Sequence, residues 1–227
     1  MARFYPVLLH LDHRPCVVIG AGPVAEQKVN GLLDAGARVT VICPAPSPRL
    51  LALAADGSID LRRRPYTPGD LDGAFLVIVS ADDRAVRHEV WLEAERRRIP
   101  INAVDDMPHC SFIAPAIYRQ GDLTVAVSTA GKSPALAVNV RNRIGDLLGP
   151  EYGTFLTLLG DLRADVAVRI PDAPTRTALW YRIVDSDVIE FVRRDDLAGA
   201  RHRIADLVEN AEACRAASFP ASADPGS

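Results

Sequence analysis

Residues 16–25, CVVIGAGPVA, join a short apolar run to Gly20, Gly22 and Ala25 in the order G-x-G-x-x-A. This pattern is typical of a strand that ends in a tight turn and runs into a helix. The first glycine makes the turn, the second lets the backbone approach a pyrophosphate, and the alanine lets the helix pack on the strand. A helix that starts at Pro23 would add free N–H groups and a favourable dipole. The stretch predicts a dinucleotide site, although a glycine turn without a ligand has the same local form.

The surrounding sequence has the form of a β-α-β unit. A helix over residues 24–35 is followed by Gly36, a suitable helix end, and by a second apolar run at 38–43, RVTVIC. That second strand lacks the acidic residue that often binds the ribose hydroxyls, because the chain continues as CPAPSP over residues 43–48. No arginine precedes Arg49 there, so the motif alone does not distinguish NAD from NADP.

The first half of the chain continues to alternate strands and helices. Strands are predicted at residues 59–63, 74–80 and 100–104, and a helix that ends near Arg97 separates the last two. Asp82 or Asp83 is the predicted cap of that helix. This alternation predicts a parallel α/β sheet.

Ligands of open parallel sheets bind beyond the carboxyl ends of the strands. Ser80, Asp82 and Asp105 should therefore share one edge of the sheet with Gly20. Asp105 is the candidate general base at this edge. The alternative is a turn aspartate that accepts hydrogen bonds from nearby N–H groups.

After residue 112 the pattern changes to a hairpin and then to helices. The hairpin strands are predicted at residues 112–119 and 123–128, and the helices at residues 135–148, 152–168, 175–184, 187–193 and 197–213. Residues 216–227 are small, polar and proline-bearing, which predicts a disordered tail.

A second candidate anion site precedes the helix at residues 135–148. Lys132 and Ser133 lie just before it, and the helix start would add N–H groups. Arg119 and Arg141 are near enough in sequence to add positive charge for carboxylate groups.

Composition excludes several classes of protein. A net charge of -3 argues against general nucleic-acid binding. No apolar run approaches the roughly 18 residues that a membrane span needs, and the first residues lack a signal-peptide pattern. The 4 cysteines are scattered, which indicates reduced thiols. We therefore expect a cytoplasmic protein without a membrane segment.

The blocks GAGPVAEQK, ADD, INAVDDMPHCSFIAPA and LTVAVSTAGKSPALA occur in this order along the chain. On these blocks the chain resembles the precorrin-2 dehydrogenase family, which is the dehydrogenase and ferrochelatase module of siroheme synthases. The resemblance covers residues 3–165 well and the remaining helices loosely.

The resemblance implies a homodimer with a Rossmann-type NAD-binding domain over residues 1–113. A small α+β dimerisation segment over residues 114–149 and a helical domain over residues 150–215 would follow. The implied activity is NAD-dependent oxidation of precorrin-2 to sirohydrochlorin, and some members then insert ferrous iron, a lyase reaction, to give siroheme.

The resemblance also implies roles for individual residues. Asp105 matches the position implicated in catalysis. Pro23, Val24, Pro44 and Ala45 match positions that hold NAD largely through the backbone, which favours NAD over NADP.

Other interpretations stay open at this point. Asp105 and His109 are weak candidates for a ferrous iron site, and an ordinary loop histidine is the favoured interpretation. The chain could also be a nucleotide-sensing Rossmann module, which would need no base at Asp105, or a chelatase without redox activity.

Overall fold

The structure is a computed structural model that describes residues 4–218. Within these residues the chain forms two compact units. The first contains residues 4–114 together with the segment Ser128–Ser133, and the second contains Pro115–Val127 and the chain from Pro134 onward. Each unit has its own hydrophobic core.

The first unit is a five-stranded parallel sheet with helices. Its elements in chain order are β1 (Pro15–Ile19), α1 (Pro23–Asp34), β2 (Arg38–Ile42), α2 (Pro48–Ala55), β3 (Ile59–Arg62), β4 (Leu76–Val79), α3 (Arg84–Arg97) and β5 (Ile101–Ala103). The strand order is β3-β2-β1-β4-β5, and every neighbouring pair is parallel. The predicted Rossmann-type α/β sheet is confirmed.

Both faces of this sheet are covered, which explains the continuous apolar strands. All four residues of β4 are buried, as expected for a central parallel strand. One core cluster joins the sheet to Val29 and Leu32 of α1. The other joins it to Val90 and Ala94 of α3.

The strand order places a topological switch point beside β1. From β1 the chain runs outward through β2 and β3, and then returns to the other side of β1 as β4. Ligands of such sheets bind where the order reverses, outside the carboxyl ends of the strands. The loops after β1, β4 and β5 lie at that edge.

Helix α2 was not predicted from the sequence. It begins at Pro48, and the side chain of Ser47 accepts a hydrogen bond from the N–H of Leu50 at 3.3 Å. A serine followed by proline is an ordinary helix start. The prolines at residues 44 and 46 concealed this signal, because proline disfavours helix in the residue before it.

Two strands start at least two residues later than predicted. β4 starts at Leu76 and not at Ala74, since the N–H of Ala74 binds the carbonyl of Leu71 in a turn at 3.0 Å. The first hairpin strand starts at Ala116 and not at residue 112. The side-chain amide of Asn102 binds the carbonyl of Phe112 at 3.0 Å and keeps that residue with the parallel sheet.

The second unit consists of a hairpin and helices. Its elements are β6 (Ala116–Gln120), β7 (Leu123–Val127), α4 (Pro134–Leu147), α5 (Glu151–Arg169), α6 (Ala173–Val184), α7 (Val188–Arg193) and α8 (Leu197–Ser218). β6 and β7 are antiparallel, as predicted. Leu158, Ile183 and Ile204 belong to the core that joins α5, α6 and α8.

The carboxyl-terminal helix is longer than predicted. α8 continues to Ser218, so residues 216–218 of the predicted tail are helical. The rest of that tail, residues 219–227, lies outside the described residues. Within residues 4–218, no helix combines the length and the apolar character that crossing a membrane requires.

Candidate cofactor and catalytic site

The turn after β1 brings Gly20 against Ser80. Gly20 has a φ of +128°, a conformation that residues with a side chain rarely adopt. A Cβ on this residue would lie 3.1 Å from the carbonyl carbon and oxygen of Ser80, and closer still to its Oγ. The N–H of Ser80 donates to the carbonyl of Ile19 at 2.8 Å. The predicted glycine turn and Ser80 therefore lie together at the carboxyl ends of β1 and β4.

Gly22 faces open space at the start of α1. It is the N-cap residue, and no atom lies within 4 Å of a Cβ built on it. The next two residues, Pro23 and Val24, are exposed. An open helix N-terminus without a side chain fits the approach of a pyrophosphate. Ala25 is fully buried, so its side chain packs the helix and is not offered to a ligand.

The end of β2 also fits a cofactor held through the backbone. Pro44 and Ala45 are exposed directly after the buried Cys43. Residues 43–48 contain no carboxylate. The ribose end of a dinucleotide would therefore meet main-chain groups here.

The cap of α3 is Asp83 and not Asp82. The carboxylate of Asp83 accepts a hydrogen bond from the N–H of Ala85 at 2.7 Å. Asp82 is exposed in the loop after β4, at the edge where the sequence predicted a cofactor contact.

Asp105 is exposed in the loop after β5 and has a φ of +57°. Aspartate tolerates this left-handed region better than most residues. The half-buried Lys28 of α1 lies within electrostatic reach of Asp105. Burial lowers the pKa of Lys28, and the charge of Asp105 acts in the opposite direction. The edge of the sheet therefore pairs the candidate base with a nearby cation.

The sequence analysis did not single out Lys28. The helical spacing could have identified it. Lys28 lies three residues after Ala25 and four before Leu32, both of which are buried, so a charged residue falls on the core-facing side of α1.

Asp106, beside the candidate base, forms a hydrogen bond with a histidine and an ion pair with an arginine. The Nδ1 atom of His109 lies 2.9 Å from the Oδ2 atom of Asp106. The Nε atom of Arg87 lies 3.5 Å from the same oxygen. The hydrogen bond from His109 is the main cause of the lowered pKa of Asp106, and the charge of Arg87 adds to it. Asp106 is therefore ionised at neutral pH.

Arg87 connects two loops at the ligand edge. Its Nη1 atom donates to the carbonyl oxygens of Ala81 at 2.8 Å and Asp82 at 3.0 Å, in the loop after β4. Its ion pair with Asp106 reaches the loop after β5. Its Nε atom is buried and makes no hydrogen bond among the described residues. Sequence analysis missed this residue because a helical arginine is usually a solvated one.

A pair of imidazole rings adjoins Asp106. The Nδ1 atom of His88 on α3 lies 3.4 Å from the Nε2 atom of His109. The indole of Trp91 packs against both rings, with ring centroids 5.5 Å from His88 and 4.8 Å from His109. We call His88, His109 and Asp106 the histidine cluster.

The second predicted anion segment belongs to the first unit. Thr129 Oγ1 accepts a hydrogen bond from the N–H of Ser133 at 3.1 Å and donates to its carbonyl at 2.9 Å. A Cβ on Gly131 would lie 3.1 Å from the terminal methyl of Met107. The segment with Lys132 and Ser133 therefore packs against the short 3₁₀ helix that follows Asp105.

Arg119 and Arg141 belong to the second unit. Both line one shallow depression between β6 and α4, together with Tyr118 and Asn142. The Nε atom of Arg141 donates to the side-chain oxygen of Asn142 at 2.9 Å. The structure thus brings these two predicted arginines to one surface.

The thiol of Cys110 has a structural role. It donates to the carbonyl of Ala103 at 3.1 Å and accepts from the N–H of the same residue at 3.2 Å. Burial raises the pKa of this thiol. Between residues 4 and 218, no group of three or more His, Cys, Asp or Glu side chains is arranged to hold a metal ion.

Three family models match the chain in succession. Residues 7–116 match an NAD(P)-binding family, residues 120–147 the sirohaem biosynthesis protein central family, and residues 151–208 the sirohaem synthase dimerisation region. The chain belongs to the siroheme synthase family. The NAD(P)-binding match falls on the sheet with the glycine turn, and it supports the predicted cofactor.

Siroheme synthases are similar to most of this chain. The siroheme synthase of Thioalkalivibrio sulfidiphilus is 38% identical over 206 residues, which cover 91% of this chain and 42% of that protein. Siroheme synthase 1 of Aeromonas salmonicida is 38% identical over 206 residues, with 90% and 44% covered. The siroheme synthase of Methylococcus capsulatus is 40% identical over 187 residues, with 82% and 40% covered. This member of the family thus spans about two fifths of the length of these curated relatives.

A solved structure described as SirC, precorrin-2 dehydrogenase, has the same fold. It superposes with a TM-score of 0.71 at 24% identity, over 88% of this chain and 100% of that chain. The likeness confirms the predicted α/β sheet followed by helices.

Proposed function

We propose that this siroheme synthase family member oxidises precorrin-2 to sirohydrochlorin, with NAD as the hydride acceptor. The observation that carries the proposal is the position of Asp105. This carboxylate lies at the same sheet edge as the open N-terminus of α1, where the glycine motif would hold the dinucleotide. A tetrapyrrole dehydrogenase needs these two components together.

The chain's residues hold the cofactor through their backbone. Gly20 makes the turn, Gly22 leaves room for the pyrophosphate, and the N–H groups at the start of α1 bind its oxygens. Pro44 and Ala45 offer main-chain groups to the ribose. Residues 43–48 contain neither an acidic side chain to exclude a ribose phosphate nor a cationic one to bind it, so NAD is favoured over NADP by the resemblance to a family that holds NAD largely through the backbone. When bound, NAD supplies the site that accepts a hydride.

Asp105 handles the proton of the reaction. The substrate loses two electrons and one hydrogen as hydride, and it loses a second hydrogen as a proton. Asp105 accepts this proton, or it stabilises the cationic macrocycle until solvent removes the proton. Lys28 places a positive charge within electrostatic reach of this carboxylate.

The carboxylates of the substrate require cationic and N–H donors. We assign this role to Lys132 and Ser133 of the first unit. Arg119 and Arg141, which share one surface of the second unit, are separate candidates for the same role. The packing of the Lys132 segment against Met107 supports the assignment, because it brings that segment to the loop of Asp105.

The assembly and setting of the protein form part of the proposal. We infer a homodimer, since residues 151–208 match a dimerisation region. We retain the three parts at residues 1–113, 114–149 and 150–215. The matched dimerisation region lies in the third of them, and not in the segment 114–149 to which the sequence analysis assigned dimerisation. Free cysteines at residues 16, 43 and 110 are consistent with work in the cytoplasm.

The test is an anaerobic assay of the purified protein with precorrin-2 and NAD. NADH formation and the tetrapyrrole spectrum are followed together, first in the wild type and then in Asp105→Asn. We expect NADH and sirohydrochlorin in equal amounts, with a rate about 100-fold lower in the variant. NAD affinity should be unchanged.

The matched control is Asp34→Asn, at the far end of α1 and exposed. It should retain the wild-type rate. If the wild type binds NAD but does not oxidise precorrin-2, the protein is a nucleotide-sensing module instead. Adding ferrous iron after oxidation tests chelation separately, as siroheme formation above the spontaneous rate.

A further inference from the structure

The histidine cluster has the arrangement of a metal half-site. The Nδ1 atom of His88 and the Nε2 atom of His109 lie 3.4 Å apart. This separation is long for a hydrogen bond between nitrogens. Two nitrogens bound to one tetrahedral metal ion, each at about 2.0–2.1 Å, lie about 3.3–3.4 Å apart. The two rings therefore already have the spacing of a chelating pair.

The carboxylate of Asp106 fixes the tautomer of His109. Because Asp106 accepts at 2.9 Å from Nδ1, the proton of a neutral His109 ring resides on Nδ1. The Nε2 atom then presents its lone pair toward His88. A carboxylate behind a ligating histidine is the usual outer partner of a metal-bound imidazole.

Packing holds the two rings in place. His88 and Trp91 are three residues apart on α3, so they lie on one face of the helix. The indole packs against both imidazoles at centroid distances of 5.5 Å and 4.8 Å. Little side-chain freedom is left to lose when a ligand binds both rings.

The site is open to solvent on one side. His88 is exposed and His109 is half-buried. With two protein nitrogens, the remaining coordination positions fall to water or to an incoming ligand. Such a site binds a metal ion reversibly and does not lock it into the fold.

We propose that His88 and His109 form a labile binding site for a divalent transition metal of borderline softness, such as Zn²⁺, Co²⁺ or Fe²⁺. Imidazole ligands select this class over Mg²⁺ and Ca²⁺. The proposal does not depend on the dehydrogenase activity. Its location in the loop of Asp105 places a captured ion beside the site assigned to the tetrapyrrole.

The experiment titrates the untagged, full-length protein with Co²⁺ alone and measures binding by calorimetry and by the visible absorption of the metal. We expect one ion per chain. His88→Asn, His109→Asn and Asp106→Asn should each weaken binding by about tenfold or more. Mg²⁺ should not compete, whereas Zn²⁺ should displace the Co²⁺.

The matched control is His202→Asn. His202 is also an exposed histidine beside a carboxylate, 3.9 Å from Asp206, but it lies on α8. Its removal should leave Co²⁺ binding unchanged. Equal binding by the wild type and by both His88→Asn and His109→Asn would overturn the proposal, as would no binding by the wild type.

A measurement on the unaltered protein guards against variants that fail to fold. Co²⁺ is paramagnetic, so it should shift or broaden the ring-proton signals of the two neighbouring histidines before those of the other three. If the signals of other histidines shifted or broadened first, the assignment of the metal site to His88 and His109 would be contradicted. NAD binding, measured in the same samples, distinguishes loss of the metal site from failure of the dinucleotide site.

Discussion

Gly20 and Ser80 lie so close that residue 20 has no room for a side chain. A Cβ at this position would be 3.1 Å from two backbone atoms of Ser80, and φ at Gly20 is +128°. The turn therefore depends on glycine both for its conformation and for its contact with the neighbouring strand. Gly22, two residues later, has neither restriction. The two glycines of the motif should consequently respond differently to the same substitution.

Gly20→Ala should destabilise the protein by roughly 2 kcal/mol or more, because it adds strain at a positive φ and a clash with the backbone. Chemical denaturation in the absence of NAD measures the effect. A loss of unfolding free energy no greater than that of Gly22→Ala would show that the turn can relax.

Gly22→Ala should keep the wild-type stability and lose NAD affinity by about tenfold or more, because the added methyl group occupies the space of the pyrophosphate. Gly22 has an extended backbone that alanine also adopts. Calorimetric titration with NAD gives the dissociation constant. Unchanged affinity would place the cofactor away from α1.

Asp70→Asn should reduce stability by about 2 kcal/mol at pH 7. The guanidinium of Arg64 donates two hydrogen bonds to Asp70, at 2.5 and 2.7 Å, and lowers its pKa from 3.8 to about 2. Because the pKa of Asp70 is lower in the folded state than in the unfolded state, its ionisation stabilises the folded protein at pH values above the unfolded-state pKa. That contribution to stability is lost as the pH falls through the pKa of Asp70 in the folded state.

The difference between Asp70→Asn and the wild type should therefore shrink as the pH falls from about 4 to about 2. Unfolding curves at several pH values measure it. Asp72→Asn is the control, because Asp72 forms an exposed ion pair with Arg97. A difference for Asp70→Asn that is independent of pH would contradict the electrostatic explanation.

Arg87→Lys should destabilise the protein by about 1–3 kcal/mol. Lysine cannot bind the carbonyls of Ala81 and Asp82 while also pairing with Asp106, as the planar guanidinium does. Hydrogen exchange should increase in the loops after β4 and β5 in particular. Arg84→Lys, at the exposed start of the same helix, should behave as the wild type.

Gly153→Ala and Gly160→Ala should have opposite effects on the second unit. A Cβ at Gly153 would lie 2.9 Å from the carbonyl oxygen of Gln120, whereas one at Gly160 meets no atom within 4 Å. The first substitution should destabilise the unit. The second should stabilise it by about 0.5–1 kcal/mol, because alanine favours a helix interior.

Tryptophan fluorescence can follow the second unit separately. Of the 2 tryptophans, Trp91 belongs to the first unit and Trp180 to the second. In a Trp91→Phe background, Trp180 reports the unfolding of the second unit. Gly153→Ala should leave NAD affinity unchanged.

The sequence predicted those features of the site that depend on local signals. The glycine turn, the start of α1 at Pro23 and the cap of α3 each follow from a few adjacent residues. Asp105 was predicted because parallel strands align their carboxyl ends.

Residues that act across the fold could not be predicted in this way. Lys28 gains its importance from the approach of Asp105, and Arg87 from two loops that are distant from each other in sequence. His88 and His109 are 21 residues apart, and only the packing of α3 on the loop after β5 brings them together. No local sequence pattern predicts these contacts, because they depend on how the helices pack on the sheet.

The segment Ser128–Ser133 belongs to the first unit although it lies between two parts of the second unit in the sequence. The chain leaves the first unit after Ala114, returns for these six residues, and leaves again at Pro134. No single cut separates the units intact. A truncated chain that ends at residue 114 would retain the glycine motif and Asp105 but lack Lys132 and Ser133. The first unit is therefore not a single continuous stretch of sequence, and recombination could not transfer its sheet together with Lys132 and Ser133 without also transferring the hairpin of the second unit.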